Sequence, residues 1–355
     1  MDKDLLLLLS GNFYYKPVEL RKILSGFQDL KEVMTAPKDA FLNLGVGGKA
    51  LDNFLENRAA TPLHTLADDI KIITILDANY PAALKNAYDP PPILFYRGDL
   101  SCLSVSRLPS LAVIGSRKMS EYGKRACELF VNGLCKNFII VSGLAFGVDG
   151  LSHEITVKNK QKTIAVLGSG IDEPSIYPKS NISLARKILD CGGLLLSEVP
   201  PGIGPQKFHF PMRNRIISGI SRGILIIEGG KKSGTLITAK LGLDLGTDIF
   251  AVPGNIFSPN SEGVNFLIKC GAHPVTESRD ILEFYGMEGQ EEKNAYVPKT
   301  EKEKIILEIL SASEKHINDL AEETGIGIMD LMDVLTDLEI SGAIKNIGGQ
   351  RFIRI

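Results

Sequence analysis

The chain has 355 residues, of which 44% are hydrophobic and 23% are charged, and this length suggests about two or three folded domains. Its formal net charge of -2 excludes the overall positive charge of a histone-like binder, so any polyanion must be held by a local basic patch. The five cysteines form no CxxC pair, which argues against a disulfide framework or a zinc site. We therefore expect a soluble, cytoplasmic globular protein with buried thiols and no bound metal.

Residues 1–70 have the pattern of a small helical domain. The apolar run of residues 5–9 is too short to span a membrane and follows acidic residues, so we expect a helix that faces a small core. Three glycines (Gly45, Gly47 and Gly48) permit a tight turn of the kind found in SAM-like and helix-hairpin-helix modules. Lys49 directly follows this turn. The turn could therefore contact DNA through Lys49, or the helices could simply pack together. Residues 71–107 contain a proline-rich stretch and form a connector and an extension of the next domain.

From residue 108 to residue 285, short apolar runs alternate with amphipathic stretches. Runs that are apolar at every position favour strands buried on both faces, and their alternation with helices favours a parallel sheet. We therefore expect an α/β fold, with a Rossmann-like, doubly wound parallel sheet. The expected strands cover residues 111–114, 138–141, 164–167, 194–198, 224–228 and 249–253.

Small residues follow the expected strands, at the edge of the sheet where ligands of such folds gather. Glycine and serine let a phosphate approach the backbone, helix N-termini offer unpaired N–H groups, and arginine adds a planar donor. The residues that predict a phosphate site in this way are Gly115, Ser116, Arg117, Ser142, Gly143, Ser233, Gly234 and Thr235. No GxxxxGKS/T motif occurs and no intact GxGxxG follows a strand, which disfavours a Walker-type ATPase and an ordinary NAD enzyme. We expect no cofactor.

Residues 199–227 contain no acidic residue, although the whole chain is mildly acidic. Cations that neutralise phosphates, interleaved with rings on which bases stack, are typical of a single-strand nucleic-acid site. The alternative is a loop whose arginines cap helices and whose phenylalanines fill the core. The residues concerned are Lys207, Phe208, His209, Phe210, Arg213, Asn214, Arg215 and Arg222.

Asp149 and His153 lie four residues apart at the start of an expected helix, as an acid–base pair or half of a metal site would. We favour a structural interpretation, in which Asp149 caps the helix and His153 packs against the sheet. No further carboxylate or histidine cluster in the sequence completes a metal site.

The last part of the chain, residues 300–355, has the order of a winged helix-turn-helix domain, which normally reads DNA. Its candidate recognition helix, residues 328–341, carries four acidic residues and no cation, so phosphates would repel it. We favour a protein-contact or structural role, with Arg351 and Arg354 in the wing as the remaining argument for DNA. Residues 286–299 are charged and poor in apolar residues, so they form a linker.

The central motifs resemble those of the DNA-processing protein A family (DprA/Smf). The resemblance runs in order through the whole central domain, so it is specific. The motifs are GSRKMSEYG from Gly115, SGLAFGVDGLSH from Ser142, AVLGSGID from Ala165, YPKSN from Tyr177, LLSEVPPG from Leu195, FHFPMRNRIISGIS from Phe208, KSGTLITA from Lys232 and VPGNIFSPNSEGVNFLIKCGA from Val252.

The resemblance implies a single-stranded DNA-binding recombination mediator that protects incoming DNA and loads the RecA recombinase on it during natural transformation. It also implies a homodimer that is not an enzyme and does not act at a membrane. By motif, the resemblance implies a DNA site made of Gly115, Ser116, Arg117, Ser142, Gly143, Lys207, Phe210, Arg213, Asn214, Ser233, Gly234 and Thr235. For the dimer contact we expect residues 249–281, which offer an excess of apolar residues (Phe257, Val264, Phe266, Leu267 and Ile268).

A nucleotide-processing enzyme is the alternative hypothesis, because the expected fold and glycine-rich pocket are similar to those of phosphoribohydrolases. That family typically carries PGGxGTxxE, whose glutamate takes part in the chemistry. Here the stretch is GGKKSGTLITA, with Ala239 and Lys240 where an acid would be sought. The missing acid and the basic aromatic stretch favour binding over catalysis.

Overall fold

The computed structural model describes residues 2–27, 29–58, 66–87, 89–104, 108–231, 233–287, 298, 300–310, 314–341 and 343–354. The chain divides into two compact units, Met1–Met287 and Glu288–Ile355. The linker expected at residues 286–299 lies mostly outside the described residues, which stop at 287 and resume at 298 and 300. No helix in the described part of the chain is long and apolar enough to cross a membrane.

The first unit begins with a cluster of helices: α1 (Asp2–Phe13), α2 (Pro17–Gly26), α3 (Lys38–Asn43) and α4 (Lys49–Asn57). Buried rings of Phe13, Phe41 and Phe54 pack together at its centre, with ring centroids 5.9–6.1 Å apart. The turn between α3 and α4 places Gly45 and Gly48 at φ of 69° and 78°, where a side chain would be strained. The expected helix over residues 5–9 is confirmed as part of α1.

A single sheet forms the centre of the first unit. The described strands are β1 (Lys71–Thr74), β2 (Ile93–Gly98), β3 (Ser110–Ile114), β4 (Ile139–Ser142), β5 (Thr163–Val166), β6 (Leu194–Ser197), β7 (Gly223–Ile226), β8 (Asp248–Ala251) and β9 (His273–Pro274), in the order β1-β2-β6-β5-β4-β3-β7-β8-β9. From β6 to β9 every neighbouring pair is parallel. The doubly wound α/β fold predicted from the apolar runs is therefore confirmed, and the antiparallel pair β1 and β2 is added at one edge.

Helices cover both faces of the sheet because successive side chains of each strand point to opposite sides. In β3, Ala112 and Ile114 pack against one helical layer, whereas Leu111 and Val113 pack against the other. The first layer contains α5 (Ala82–Lys85), α9 (His209–Gly219), α10 (Gly234–Asp244) and α11 (Glu262–Lys269). The second contains α6 (Glu121–Leu134), α7 (Val148–Lys158), α8 (Ile182–Asp190) and α12 (Ser278–Phe284).

The strand order reverses at β3. After β3 the chain adds β4, β5 and β6 on one side, and it then returns to add β7, β8 and β9 on the other. The chain therefore leaves β3 toward one face of the sheet and β7 toward the other, which opens a crevice at their carboxyl ends, where open α/β sheets bind their ligands.

Two expectations about apolar and thiol side chains need correction. Val264 and Leu267 are buried in the core of their own unit, so they are not available for a dimer contact. Phe257 and Phe266 are exposed. The expectation of buried thiols is wrong for Cys270, which is exposed, because it follows α11 at the surface.

The second unit contains α13 (Glu301–Ile309), β10 (Lys315–His316), α14 (Ile317–Thr324), α15 (Ile328–Ile340), β11 (Ile344–Gly348) and β12 (Arg351–Arg354). The three strands form a small sheet in the order β10-β12-β11, and β11 and β12 make the wing. Gly325, at φ 68°, ends α14 and opens the turn to α15. The predicted winged-helix domain is confirmed.

Candidate nucleic-acid interface

A cavity of about 600 Å³ opens at the carboxyl ends of β3 and β7, where the strand order reverses. We call it the strand-end cavity. Nine of the sequence-predicted site residues line it: Gly115, Ser116, Arg117, Phe210, Arg213, Asn214, Ser233, Gly234 and Thr235. The loop after β3, the first half of α9 and the start of α10 therefore meet at one place.

Backbone donors face the strand-end cavity at the start of α10. The Ser233 hydroxyl accepts a hydrogen bond from the Thr235 N–H, and so caps the helix. A Cβ built on Gly234 would meet no atom within 4 Å, so the first turn of α10 is open to a ligand. Unpaired N–H groups at such a helix end attract anions, so phosphate binding and helix initiation are compatible here.

The cationic side chains that line the strand-end cavity are Arg117, Lys118 and Arg213, and the carboxylate that lines it is Asp149. Arg117 and Lys118 are exposed on the loop after β3. The Arg117 guanidinium carbon lies 4.8 Å from the centroid of the Phe210 ring, within the range of a cation–π contact. The mouth of the cavity therefore combines exposed positive charge with an aromatic face.

Arg213 forms the floor of the cavity and is only 5% exposed. Its Nη1 donates to the Gly143 carbonyl at 2.6 Å and to the Val166 carbonyl, and its Nε donates to Asn214 Oδ1 at 3.1 Å. A Cβ on Gly143 would lie 2.1 Å from Arg213 Nη1, so any side chain there would displace the guanidinium from its present position. Burial lowers the pKa of Arg213, and the Asp149 carboxylate opposes that shift.

Asp149 belongs to this floor and does not cap its helix. The cap position of α7 is Gly147, whereas the Asp149 carboxylate accepts the Gly143 N–H at 3.2 Å. Burial raises the pKa of Asp149, and Arg213 opposes the rise. Our expectation of a helix cap was therefore wrong, because the carboxylate turns toward the loop after β4.

His153 lies outside the cavity lining and is fully buried. The Thr163 hydroxyl donates to the Ile140 carbonyl at 2.6 Å, so it accepts the hydrogen of His153 Nδ1 at 2.8 Å. Burial lowers the pKa of His153 to about 3. The interpretation that His153 packs against the sheet is confirmed, and it forms no acid–base pair with Asp149 in the cavity.

The acid-free stretch of residues 199–227 does not form one basic surface, because its members outside the cavity lie in three different places. Lys207 is exposed just before α9, outside the cavity lining, and Phe208 is 43% exposed beside it. Arg215 is buried on the other side of α9, where its Nη2 lies 2.5 Å from Glu198 Oε2. Arg222 precedes β7, at the opposite edge of the sheet, and lies 4.2 Å from the centroid of a tyrosine ring. The basic patch is therefore smaller than the sequence predicts.

Two further predicted residues lie near the cavity without lining it. Ser142 is fully buried, and its hydroxyl donates to the Val113 carbonyl at 2.6 Å, which ties β4 to β3. Gly143 lines a narrow crevice next to the cavity.

Several residues at this edge of the sheet were not predicted from the sequence: Lys118, Asn260, Phe146 and Tyr177. Lys118 directly follows the predicted Arg117, and the Asn260 side chain donates to the Lys118 carbonyl at 3.2 Å. Phe146 lies four residues beyond the end of β4, a position that could have drawn attention to it.

The second unit offers a different surface. The acidic residues of α15 are exposed together with Met329, which is 84% exposed, and Ile340, which is 81% exposed. In the wing, Arg354 donates to the Leu307 carbonyl at 3.0 Å, and Arg351 lies 3.4 Å from a glutamate. Both arginines thus have contacts within the unit.

No group of three or more potential metal ligands (His, Cys, Asp or Glu) is close enough to hold a metal ion among the described residues.

The chain is similar to known proteins. A family model described as DNA recombination-mediator protein A matches residues 71–286, and a model of the DprA winged helix domain matches residues 290–350. The DNA processing protein DprA of Bacillus subtilis (strain 168) is 44% identical over 215 residues, which are 60% of this chain and 71% of that protein. These matches confirm the resemblance found in the sequence.

Two solved structures are similar to the chain. The X-ray structure of DNA processing protein A from Streptococcus pneumoniae aligns with a TM-score of 0.67 at 35% identity, over 78% of this chain and 96% of that one. DNA processing protein A from Helicobacter pylori, described for its single-stranded DNA binding mode, aligns with a TM-score of 0.55 at 28% identity, over 61% and 95%.

Proposed function

The chain belongs to the DNA recombination-mediator protein A family, and from that premise we propose that it binds single-stranded DNA in the strand-end cavity. We propose further that it acts in the cytoplasm, protects incoming DNA, and loads the RecA recombinase on it during natural transformation. The observation that carries the binding proposal is the cavity itself, in which exposed cations, backbone donors and an aromatic face converge.

Each part of the cavity has a distinct task in this proposal. Arg117 and Lys118 neutralise phosphates at the mouth, the Gly234 N–H at the start of α10 donates to a phosphate, and Phe210 stacks a base. Lys207 extends the cationic path along the surface. Arg213 acts from the floor, where it fixes the loops after β4 and β5 and adds positive charge beneath the phosphates.

This division of tasks favours binding over catalysis. The carboxylate in the cavity, Asp149, accepts a backbone N–H and faces Arg213, so it is already engaged. Counted from Gly234 and Thr235, the glutamate position of the phosphoribohydrolase pattern falls on Thr238 rather than on Ala239 or Lys240, and Thr238 is a buried residue whose hydroxyl donates to the Gly234 carbonyl at 3.2 Å. The Helicobacter pylori neighbour, whose description names single-stranded DNA binding, supports the same ligand class.

We propose that the protein is a homodimer joined through the surface around α11. Ile256, Phe257 and Phe266 are 77%, 88% and 52% exposed there, and together they form an apolar patch that a second copy would cover. Two cavities acting on one strand raise the effective concentration of the second contact, so modest sites combine into tight binding.

For the second unit we propose a protein partner rather than DNA. Its recognition helix presents acidic and apolar side chains together, and phosphates would repel the acidic ones. A protein that ends at Lys299 should then keep its affinity for single-stranded DNA within a few-fold, and loss of binding by a truncated dimer would contradict this role.

The binding proposal is tested by fluorescence anisotropy of a labelled oligothymidine and of a duplex of equal length, without added nucleotide or metal. We expect the single strand to bind more tightly than the duplex. A parallel assay measures release of base from nucleoside monophosphates. Equal binding of both DNAs contradicts the proposal, and turnover that a cavity variant abolishes would favour the phosphoribohydrolase alternative.

RecA loading requires a separate assay. We expect the protein to shorten the delay before RecA filaments form on single-stranded DNA, and the Lys207→Ala variant to do so less well. Filament formation at the same rate with and without the protein would contradict RecA loading while leaving DNA binding intact.

A further inference from the structure

A row of exposed aromatic rings continues from the strand-end cavity. Phe146 and Tyr177 are 48% and 42% exposed, and they lie beside Phe210. The ring centroids of Phe146 and Tyr177 are 6.5 Å apart, and those of Tyr177 and Phe210 are 6.2 Å apart. Neighbouring rings meet at interplanar angles of 82° and 58°, so they contact edge to face or at a tilt, and the exposed parts of Phe146 and Tyr177 remain open to a ligand.

The row lines a crevice that is continuous with the cavity. Arg117, Ala145 and Phe210 contribute to the lining of both, and Phe146, Tyr177 and Pro178 belong to the crevice. No carboxylate lines the crevice within the described part of the chain, and Lys179 is exposed just beyond Tyr177. A strand leaving the cavity over Phe210 would therefore meet rings and positive charge, which is the combination that single-stranded nucleic acid requires.

The loops that carry the two rings are tied together. The Asn181 side chain donates to the carbonyls of Leu144 and Ala145 at 2.9 and 3.3 Å, and so joins the Tyr177 loop to the Phe146 loop. Leu144 is fully buried and has a φ of 55°, a left-handed conformation that a leucine adopts only when its surroundings impose it. The backbone segments that carry the two rings are therefore joined to each other without any ligand.

We propose that Phe146 and Tyr177 form a second stacking subsite, which binds the bases of the nucleotides next to the one held at Phe210. This inference rests on the proposed binding of single-stranded DNA and specifies the direction in which the strand leaves the cavity. The subsite reads the flat faces of bases, so it tolerates any sequence and contributes little to the salt dependence of binding.

The chain contains no tryptophan, so a Tyr177→Trp variant has a single indole fluorophore at the subsite. Its emission is titrated with oligothymidine while the anisotropy of a label on the DNA reports total binding. The matched control is Leu129→Trp, on the exposed face of α6, where the native side chain is 54% exposed. We expect saturable quenching for Tyr177→Trp at the same DNA concentration as the anisotropy change, and none for the control.

Affinity gives the second measurement. Tyr177→Leu and Phe146→Leu should each weaken binding about fivefold or more at every salt concentration, since they remove a stacking ring. Tyr177→Phe and Phe146→Tyr keep the ring and should bind as the parent does.

The outcomes separate this inference from the proposal on which it rests. DNA binding by anisotropy with unchanged indole emission, or equal affinities of Tyr177→Leu and Tyr177→Phe, overturns the subsite while single-strand binding stands. No anisotropy change with the parent protein overturns the proposed function and the subsite with it.

Discussion

Replacing Lys207 by alanine should weaken single-stranded DNA binding through one lost phosphate contact. The side chain is exposed, and it forms no hydrogen bond or ion pair with the described residues, so its charge is available to a ligand. Each phosphate contact on a single strand contributes about 0.7 to the slope of log affinity against log salt. Between about 50 and 200 mM salt, the ratio of parent to variant affinity should therefore shrink by about 2.6-fold. The free energy of unfolding should change by less than about 0.5 kcal/mol.

The assay is a fluorescence anisotropy titration of labelled oligothymidine at several salt concentrations, with chemical denaturation as the stability check. Lys158→Ala is the matched control, because Lys158 is an equally exposed lysine at the far end of α7. At a rise of about 1.5 Å per residue, this helix places it about 16 Å from the cavity edge of the sheet. Equal salt slopes for Lys207→Ala and the parent would refute the reasoning, as would an equal loss of slope in Lys158→Ala.

Phe210→Leu should cost about 1–3 kcal/mol of binding free energy at every salt concentration, because stacking depends little on ions; a parent-like affinity in the same titration would mean that the ring only fills space. Arg213→Ala should lower the free energy of unfolding in urea denaturation by about 1–3 kcal/mol for each buried carbonyl left without its donor, namely those of Gly143 and Val166; parent-like stability would contradict the assignment of Arg213 to the floor. For His153, the folded-state pKa of about 3 lies below the ordinary value of 6.5, so between these values the unfolded chain binds a proton that the folded chain does not. The stability that the neutral ring provides is complete above pH 6.5 and is lost as the pH falls toward 3, by up to about 1.4 kcal/mol per pH unit. If the free energy of unfolding of His153→Gln depends on pH as steeply as that of the parent, His153 is not the group responsible.

The sheet could be predicted from the sequence because its parallel strands are buried on both faces. Such strands are apolar at every position, and the six expected runs match β3 to β8 within one or two residues at each end. The pair β1 and β2 escaped prediction because β1 has only four residues and begins with Lys71, whereas β2 directly follows the proline-rich stretch and is partly exposed at its end.

The site could be predicted only in part. Small residues after parallel strands must meet at one edge, so the positions of Gly115 and Gly234 followed from the fold class. The burial of the arginines could not be predicted from the fold class. Sequence does not distinguish an exposed guanidinium from one that donates to buried carbonyls, as that of Arg213 does. Phe146 and Tyr177 were missed because they are far apart in sequence and are brought together by the Asn181 hydrogen bonds.

Photo-cross-linking tests most directly whether the strand-end cavity holds single-stranded DNA. An oligonucleotide with bromodeoxyuridine at each position in turn is irradiated with the full-length protein, and the adducts are mapped by peptide mass spectrometry. We expect adducts in the segments after β3, β6 and β7, with Phe210 among the modified residues, and their loss when unlabelled single strand competes. Adducts confined to residues 2–58 or 300–354, with none at the carboxyl edge of the sheet, would contradict the central claim.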